Sequence, residues 1–512
     1  MHAPRSPHRA AFAAAPTWTA RALALATTLA CAFGGAARAQ PGGLAPQAIA
    51  TRTSLGVETL RLPQGESLGL LGATLLFEVG DGWALGPALY GAASGRRGGF
   101  FVGGVELQRR WTLGPGLWAV TGLYAGGGGG AAAPVGGGLM LRPAVSLLHD
   151  VGPALALGLS WSSVRFPSGQ IGSRQLGAVA VWRGDFGYVD AAAGTPVAAG
   201  APSSGLGFDR MAATLSVVRL DGAPARRIGL VGVRAERRPD AAGLRWGLEA
   251  AAAARGDAAG YMEVLGGAAL EAAPLPHWLP QWRVGLRAAV GLGGGGAVPT
   301  GGGALARLTG LTEWRFAPGW AVGAEAGWLR SAHAGAGLRA RQAQLWLAAD
   351  LDPPAGAGSA QVVRTEWVAS LQDHPRVRRG DGRRAPLQTV GLALNRYLGP
   401  HLYLSGQAHS AYAGGAGAYS VGLIGLGLAT DAAARWRVGA EALAGAAGGG
   451  GVATAGGALA QAQVWASWRA DATDPWGGAW RAGLGLTRAH RGGGTSPLAE
   501  IAYSRPFGSV GR

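Results

Sequence analysis

Residues 282–292 read WRVGLRAAVGL and alternate between large apolar side chains and small or charged ones. One face of this stretch carries Trp282, Val284, Leu286, Ala288, Val290 and Leu292, and the other carries Arg283, Gly285, Arg287, Ala289 and Gly291. A period of two residues places successive side chains on opposite faces of a β-strand. The stretch therefore predicts a strand with one apolar face and one face that is small or polar.

The same alternation recurs along the chain, usually just after a short turn. The segments that begin at Trp320 and Trp436 carry Glu325 and Glu441 on the face opposite their apolar side chains. Segments of about ten residues match tilted strands that cross a membrane. Charged residues make up only 14% of the chain, which is too few to cover the outside of a soluble sandwich. The pattern predicts an all-β fold, a transmembrane antiparallel β-barrel with a lipid-facing wall.

A glycine-rich motif occurs three times. Four consecutive glycines occupy residues 127–130, 293–296 and 448–451, and a second run of small residues follows each of them. The copies lie about 160 residues apart, and a fixed period of this kind indicates a duplicated structural unit. Each unit holds roughly eight strand-like segments, hence about 24 in all, the even number that single-chain bacterial barrels have. We interpret the glycine runs as wide surface loops without side chains.

Two ways of closing these strands fit the sequence. The stretch near residues 184–207 is long for a periplasmic turn, which favours three 8-stranded barrels in tandem, whereas the stretch at 351–360 is short enough for one large barrel. We expect one barrel of about 24 strands, with tandem 8-stranded barrels as the alternative. The three repeats are assigned to residues 40–190, 208–351 and 361–512.

Residues 1–39 have the features of a signal peptide. Arginines precede an apolar stretch at 22–33, and Ala37-Arg38-Ala39 is a small-residue cleavage site. Cys31, the only cysteine, would instead mark a lipoprotein, but Thr28 and Leu29 fit that motif poorly. No later apolar run is long enough for a membrane helix. The chain is therefore expected to be exported.

The C-terminal strand carries an aromatic pattern. Ile501, Tyr503 and Phe507 fall on one face, and they resemble the terminal strand that the barrel-assembly machinery recognises. The chain departs from that pattern because five residues follow Phe507 and because Arg505 falls on the apolar face. By architecture the mature chain resembles Gram-negative outer-membrane β-barrel proteins. The resemblance implies a location in the outer membrane, contact with its lipid and lipopolysaccharide, and the barrel-assembly machinery as a partner.

Tryptophans open several strands directly after a short turn, which predicts an aromatic girdle at the inner membrane interface. These residues are Trp83, Trp118, Trp282, Trp320, Trp436 and Trp480.

Charged residues of the inward face are candidates for a lumen. They are Arg283, Arg287, Glu325, Arg437, Glu441 and Arg481. In a pore, an excess of arginine would favour anions; in a narrow barrel, the same residues would form a salt-bridged plug. At the far strand ends, Arg165, Arg330 and Arg488 repeat with the unit. Our hypothesis is that these three contact lipopolysaccharide phosphates; the alternative is that they are solvated strand ends.

These observations predict a passive, porin-like channel for small, anionic solutes. The alternative is a non-conducting surface or scaffold barrel that acts in adhesion, polysaccharide export or envelope assembly. An enzyme is not expected, because the adjacent His409 and Ser410 would point to opposite faces of a strand and could not form a catalytic pair. The glycine runs lack the Lys-Ser/Thr of a phosphate-binding loop. No cofactor, metal site or nucleic-acid partner is indicated.

Overall fold

The structure, a computed structural model, describes residues 46–189, 193–197, 205–221, 226–237, 239–240, 242–332, 337–351, 360–431, 434–470, 477–490 and 494–511. The expected signal peptide, residues 1–39, lies outside these ranges. These residues fold into antiparallel strands with a short 3₁₀ turn at Pro63–Gly65. Within the described residues, no helix is long and apolar enough to cross a membrane.

Barrel 1 consists of eight strands: β1 (Pro46–Arg61), β2 (Ser67–Gly80), β3 (Trp83–Ser94), β4 (Phe101–Gly114), β5 (Leu117–Gly129), β6 (Met140–Asp150), β7 (Leu155–Arg165) and β8 (Gly172–Val189). A two-residue strand, β9 (Pro196–Val197), follows in the linker and pairs with β18 of barrel 3. Barrel 2 consists of β10 (Arg210–Leu220), β11 (Arg226–Glu236), β12 (Leu244–Arg255), β13 (Met262–Ala272), β14 (Trp282–Gly294), β15 (Ala304–Ala317), β16 (Trp320–Ser331) and β17 (Arg339–Asp350). Barrel 3 consists of β18 (Ala360–Arg378), β19 (Arg384–Tyr397), β20 (Leu402–Ala413), β21 (Ser420–Ala429), β22 (Trp436–Gly448), β23 (Ala458–Arg469), β24 (Ala479–Ala489) and β25 (Thr495–Gly511).

Each barrel closes on its own first and last strands. Strand β1 pairs with β8 over 13 residue pairs, β10 with β17 over 11, and β18 with β25 over 13. The expected single barrel of about 24 strands is therefore wrong, and the tandem alternative fits. The physical reason is that closure within each unit leaves no strand edge free to pair with the next unit. Among the described residues, a bridge between Gly508 and Val189 joins barrels 3 and 1, and the linker strand β9 pairs with β18 of barrel 3.

The two faces of the strands meet different surroundings. Leu286 and Val290 on β14 point outward and are 65% and 66% exposed, whereas Arg287 and Ala289 between them are buried. Large apolar side chains cover the outside of all three barrels in the same way, as Leu176 in barrel 1 and Leu484 in barrel 3 illustrate. An apolar exterior around a polar interior is the arrangement that a hydrocarbon environment requires.

The barrels pack against one another in a closed ring. The third strand of each barrel contacts the fifth strand of the next: β3 lies against β14 and β15, β12 against β22 and β23, and β20 against β5. Each interface thus joins two different faces, and three such head-to-tail contacts close a ring with approximate threefold symmetry. One covalent chain therefore has the form of a trimer of small barrels.

The glycine-rich runs form the contacts of this ring. An added Cβ on Gly99 of barrel 1 would lie 2.1 Å from the backbone nitrogen of Gly295 in barrel 2. The equivalent distances are 2.9 Å from Gly260 to Gly449 and 2.5 Å from Gly417 to Gly138. The expectation of wide surface loops is therefore corrected: these segments lie backbone against backbone, at a distance that only glycine permits.

We call the end of the barrels that carries these glycine contacts the outer end, and the opposite end, where Trp83 and Trp320 lie, the inner end. At the inner end, an aromatic cluster joins barrels 1 and 3. The ring of Phe186 lies 5.2 Å from that of Phe77 and 5.2 Å from that of Phe507, with both pairs edge to face. Barrels 1 and 3 are therefore held together at both ends.

Candidate functional site

Barrel 2 is filled by buried ion pairs. Glu249 accepts hydrogen bonds from Arg234 at 2.8 Å and from Arg307 at 2.7 Å, and Arg234 also donates to Glu325 at 3.0 Å. Further pairs lie nearer the inner end: Arg210 with Glu313, Arg245 with Glu236, Glu271 and Glu313, and Arg287 with Glu236. The inward face of the strands is thus occupied by a network in which carboxylates and guanidinium groups neutralise one another.

Barrels 1 and 3 have polar interiors of the same kind. In barrel 1, the guanidinium of Arg142 donates two hydrogen bonds of 2.9 Å to the carboxylate of Glu58. In barrel 3, Glu441 accepts hydrogen bonds from Arg481, Tyr403, Gln407 and Gln463. Barrel 1 also holds a polar cavity of about 50 Å³, which is room for one or two waters. Eight-stranded barrels are just wide enough for side chains to fill them, and these side chains do so.

The residues expected to line a lumen occupy these interiors. Arg287, Glu325, Arg437, Glu441 and Arg481 are buried. Each of the five is ion-paired, Arg437 with Glu366 at 2.8 Å and Arg481 with Glu441 at 2.9 Å. Arg283 is half-buried at the inner end of β14, opposite Glu313 on β15. The geometry corresponds to the salt-bridged plug that was the alternative to an ion-selective pore.

The tryptophans at the strand starts do not all share one environment. Trp83, Trp320 and Trp436 are exposed on the outside of their barrels, and Trp282 and Trp480 are half-buried. Trp118 contradicts its assignment to the girdle, because it is 4% exposed and its indole N–H donates to Asp150 at 3.0 Å. The strand β5 thus presents Trp118 to the interior, one residue out of phase with the other strands that begin with Trp.

The three repeated strand-end arginines, Arg165, Arg330 and Arg488, are all exposed near the outer end of the seventh strand of their barrels. Across the neighbouring strand, Arg165 faces Gly172 and Arg488 faces Thr495, whereas Arg330 faces another arginine, Arg339. The three positions are therefore equivalent in sequence order but differ in surroundings.

A large apolar cleft lies between the barrels. It has a volume of about 2170 Å³, and all three barrels contribute to its wall. Representative lining residues are Leu89 and Val105 of barrel 1, Leu215 and Val231 of barrel 2, and Leu392 and Ile424 of barrel 3. Its outer end is bounded by the glycine contacts and its inner end by aromatic side chains, among them Phe186 and Phe507. The cleft therefore runs through the same depth as the apolar belt of the barrels.

At the outer end of barrel 1, a charged contact joins three loops. The carboxylate of Glu66 accepts hydrogen bonds from Arg97 at 2.6 and 3.0 Å, and Arg97 also donates to the carbonyl oxygen of Ala131 at 2.8 Å. The hydrogen bonds from Arg97 lower the pKa of Glu66 below its ordinary value of 4.5. Arg97 lies in the loop between β3 and β4. It thereby links the loop between β1 and β2, which carries Glu66, to the glycine-rich loop between β5 and β6, which reaches the neighbouring barrel.

The histidine and serine examined as a catalytic pair are separate. His409 is buried inside barrel 3, with its Nε2 3.2 Å from the Gln407 amide oxygen. The hydroxyl of Ser410 instead lies 3.1 Å from that of Ser420, and Ser410 lines the cleft outside the barrel. Among the residues that the structure describes, no group of three or more His, Cys, Asp or Glu side chains could hold a metal ion.

Comparisons with known proteins give structural matches only. No family model matches the chain, and no curated protein matches it. Among solved structures, it is similar to the outer membrane protein OpdK of Pseudomonas aeruginosa, with 12% identity over 90% of this chain and 99% of that chain and a TM-score of 0.24. A BenF-like porin from Pseudomonas fluorescens Pf-5 is similar at 9% identity over 91% of this chain and 100% of that chain, with a TM-score of 0.23.

TM-scores this low carry no argument about the function of the chain or the arrangement of its barrels. The class of protein follows from the molecule itself: closed antiparallel barrels, apolar outside and polar inside, are those of an outer-membrane β-barrel protein.

The cleft is the feature that the sequence analysis missed, although the sequence does carry a signal for it. The outward residues of the outer half of β12 are Ala250, Ala252 and Ala254, and those of β22 include Ala442, Ala444 and Ala446. These two strands lie against one another in the ring. Small outward residues let two barrels approach closely, so they indicate a surface that packs against another barrel.

Proposed function

We propose that the chain is a protein of the Gram-negative outer membrane in which three non-conducting barrels enclose a lipid-filled cleft. On this proposal its function is to hold, or to pass, the apolar chains of membrane lipids between the barrels. The observation that carries the proposal is the cleft of about 2170 Å³ with apolar side chains from all three barrels in its wall. The wall is mainly apolar and offers water few hydrogen-bond partners, so hydrocarbon is the favoured occupant.

The size of the cleft suits lipid rather than a small solute. At about 30 Å³ for a water- or methylene-sized group, it has room for roughly 70 such groups, which is several acyl chains. Pockets for small molecules usually hold about 300–1,000 Å³. The barrels would then serve as rigid walls of the cleft, and the ion pairs would fill the space inside each barrel through which a solute would otherwise pass.

Passage of small, anionic solutes through the barrels is the alternative. A conducting barrel needs a wet lumen with binding sites that ions can enter and leave. The guanidinium groups that would attract anions, such as Arg287 and Arg481, are instead held by carboxylates of the same barrel. For this reason we favour the binding of lipid in the cleft over the passage of solute through the barrels.

The test is to fill the cleft and measure the bound lipid. Gly406 on β20 and Gly422 on β21 line the cleft, and an added Cβ at either position meets no atom within 4 Å. The double variant Gly406→Phe/Gly422→Phe should therefore fold and displace lipid. Gly310→Phe on β15 is the matched control, because Gly310 has equally open space but faces away from the cleft.

Native mass spectrometry of the detergent-purified chain counts the lipids that remain bound. We expect fewer retained lipids in the double variant than in the wild type or the control, and equal counts in all three would contradict the proposal. Conductance of the wild-type chain in planar bilayers separates the alternative: we expect silence, whereas large steps proportional to salt and selective for anions would establish the channel instead.

A further inference from the structure

Five arginines lie side by side at the outer end of barrel 2. They are Arg227 on β11, Arg219 on β10, Arg341 and Arg339 on β17, and Arg330 on β16, and all five are exposed on the outside of the barrel. We call this set the arginine stripe. It is separate from the cleft, since none of the five lines it.

The strand register brings like charges directly opposite one another. Arg219 is paired with Arg227 on one side and with Arg341 on the other, and Arg330 is paired with Arg339. With strands about 4.8 Å apart, the row of three spans roughly 10 Å. Opposed like charges destabilise a sheet, so an anion bound between these arginines would offset the repulsion.

The described part of the chain supplies no such anion. None of the five side chains forms an ion pair with a described acidic residue; Asp221, at the end of β10, donates its backbone N–H to the carbonyl oxygen of Arg339. Inside the same barrel, by contrast, Arg234 and Arg307 are paired with carboxylates at 2.8 and 2.7 Å. The stripe is therefore left open to an external ligand.

The stripe also lies directly above the apolar belt. Trp328 is opposite Arg341 in the register, and Trp328 and Val217 are 57% and 53% exposed on the same outer surface. A ligand bound here would place an anionic group on the arginines and apolar groups on the side chains below. That combination is an anionic lipid at the headgroup level of the outer leaflet.

The corresponding positions differ in the other two barrels. Barrel 1 shares part of the set: two residues inward from the strand-end pair, Arg174 is opposite Ser163 in barrel 1, where barrel 2 has Arg341 opposite Trp328. In barrel 3 the residue at this place in the eighth strand is Pro497, opposite Leu486. Among the three repeated strand-end arginines, Arg330 alone has an arginine directly opposite it across the adjacent strand. Among the described residues, the complete stripe, with an arginine on both sides of Arg219 and one opposite Arg330, is thus found on barrel 2.

We propose that the arginine stripe of barrel 2 binds the phosphate groups of a phosphorylated outer-leaflet lipid. A guanidinium group presents two parallel N–H donors to a phosphate, and several of them in a row can hold more than one phosphate at a time. Exposed arginines at the headgroup level also keep their charge without the cost of burial in hydrocarbon. The inference does not depend on what fills the cleft.

The test uses the full-length chain in detergent, purified lipopolysaccharide as the probe, and the double variant Arg219→Gln/Arg341→Gln. The matched control is Arg237→Gln/Arg315→Gln, which removes the same charge from the inner end of the same barrel. We expect the wild type and the control to bind lipopolysaccharide equally and the double variant to bind it at least tenfold more weakly. Equal binding by all three, or equal loss in the control, would overturn the proposal.

Two further measurements identify the chemistry. Enzymatically dephosphorylated lipopolysaccharide should bind as weakly to the wild type as the intact form binds to the double variant, and equal binding of both forms to the wild type would refute phosphate recognition. Millimolar inorganic phosphate should not displace the lipid, since it lacks the apolar part; complete displacement would show a site for the free anion instead. If the double variant fails to fold, the single variant Arg341→Gln provides the same comparison.

Discussion

The ring of barrels depends on glycine at the points of closest approach, and replacing Gly99 by alanine tests this. The new Cβ would lie 2.1 Å from the nitrogen of Gly295, whereas ordinary van der Waals contact begins near 3.4 Å, so the two backbones must separate by about 1.3 Å. Overpacking of this kind costs about 1–3 kcal/mol. The adjacent hydrogen bond from the Gly98 N–H to the Gly301 carbonyl oxygen, 2.8 Å long, would be lost at a cost of about 1 kcal/mol.

The total of about 2–4 kcal/mol corresponds to roughly 30- to 700-fold weaker docking of barrel 1 against barrel 2. Gly382→Ala is the matched control, because Gly382 has a similar backbone angle (φ +85° against +92°) but no atom within 4 Å of an added Cβ. The two variants share the strain of an alanine in that conformation and differ only in the clash.

The assay uses a chain with an engineered protease site in residues 198–204. The chain is cut in detergent, and the fragments that have dissociated are separated from the intact assembly on a native gel. We expect barrel 1 to dissociate from the cut Gly99→Ala chain far more than from the cut wild type or the cut Gly382→Ala chain. Equal dissociation of the two variants would refute the role assigned to the glycine contacts.

Three further predictions concern the buried network, the inner end and the outer loops. Glu249→Gln removes the carboxylate that Arg234 and Arg307 share and leaves one buried positive charge uncompensated, which should destabilise barrel 2 by about 3–5 kcal/mol. The measurement is a lower urea midpoint for its heat-modifiable band, and an unchanged midpoint would contradict this. In a double-mutant cycle, Phe186→Ala and Phe507→Ala should be coupled by about 0.5–1.5 kcal/mol in the docking of barrels 1 and 3, and additive effects would show that the edge-to-face contact contributes nothing. The pKa of Glu66 is lowered by Arg97, so its contribution to stability is present above the ordinary carboxyl pKa and is lost as the pH falls through the lowered value. The protection factors of the amides in residues 62–66, taken against the intrinsic exchange rate at each pH, should therefore fall at acidic pH in the wild type and not respond to this titration in Glu66→Gln. Identical pH profiles of the two would disprove this.

Strand faces could be predicted from the sequence because the alternation is local. Whether Arg287 points inward is decided by its apolar neighbours Leu286 and Ala288, and the structure buries Arg287 while exposing Leu286. Trp118 shows the limit of this reasoning. A tryptophan suits either side of the wall, and on β5 the hydrogen bond to Asp150 holds it inside.

Barrel closure could not be predicted in the same way. The edge of a strand offers the same backbone donors and acceptors to any partner. The sequence of β1 therefore does not determine whether β8 or β25 pairs with it. The distinguishing signal was the long linker near residues 184–207, which favoured tandem barrels. The short stretch at 351–360 favoured one large barrel instead. The cleft was missed for a related reason: apolar residues on an outer face satisfy both lipid and a neighbouring barrel, and only the small size of residues such as Ala252 separates the two.

The covalent linkage of the three barrels has a consequence for how such a molecule can diverge. In an assembly of three identical subunits, any substitution appears three times, so a binding surface cannot be added to one subunit alone. Here the full arginine stripe lies on barrel 2, while barrels 1 and 3 carry Gly172 and Thr495 at the position of Arg339. Fusion thus lets one third of a nearly symmetric ring acquire its own specialisation, while the other two preserve the shared scaffold.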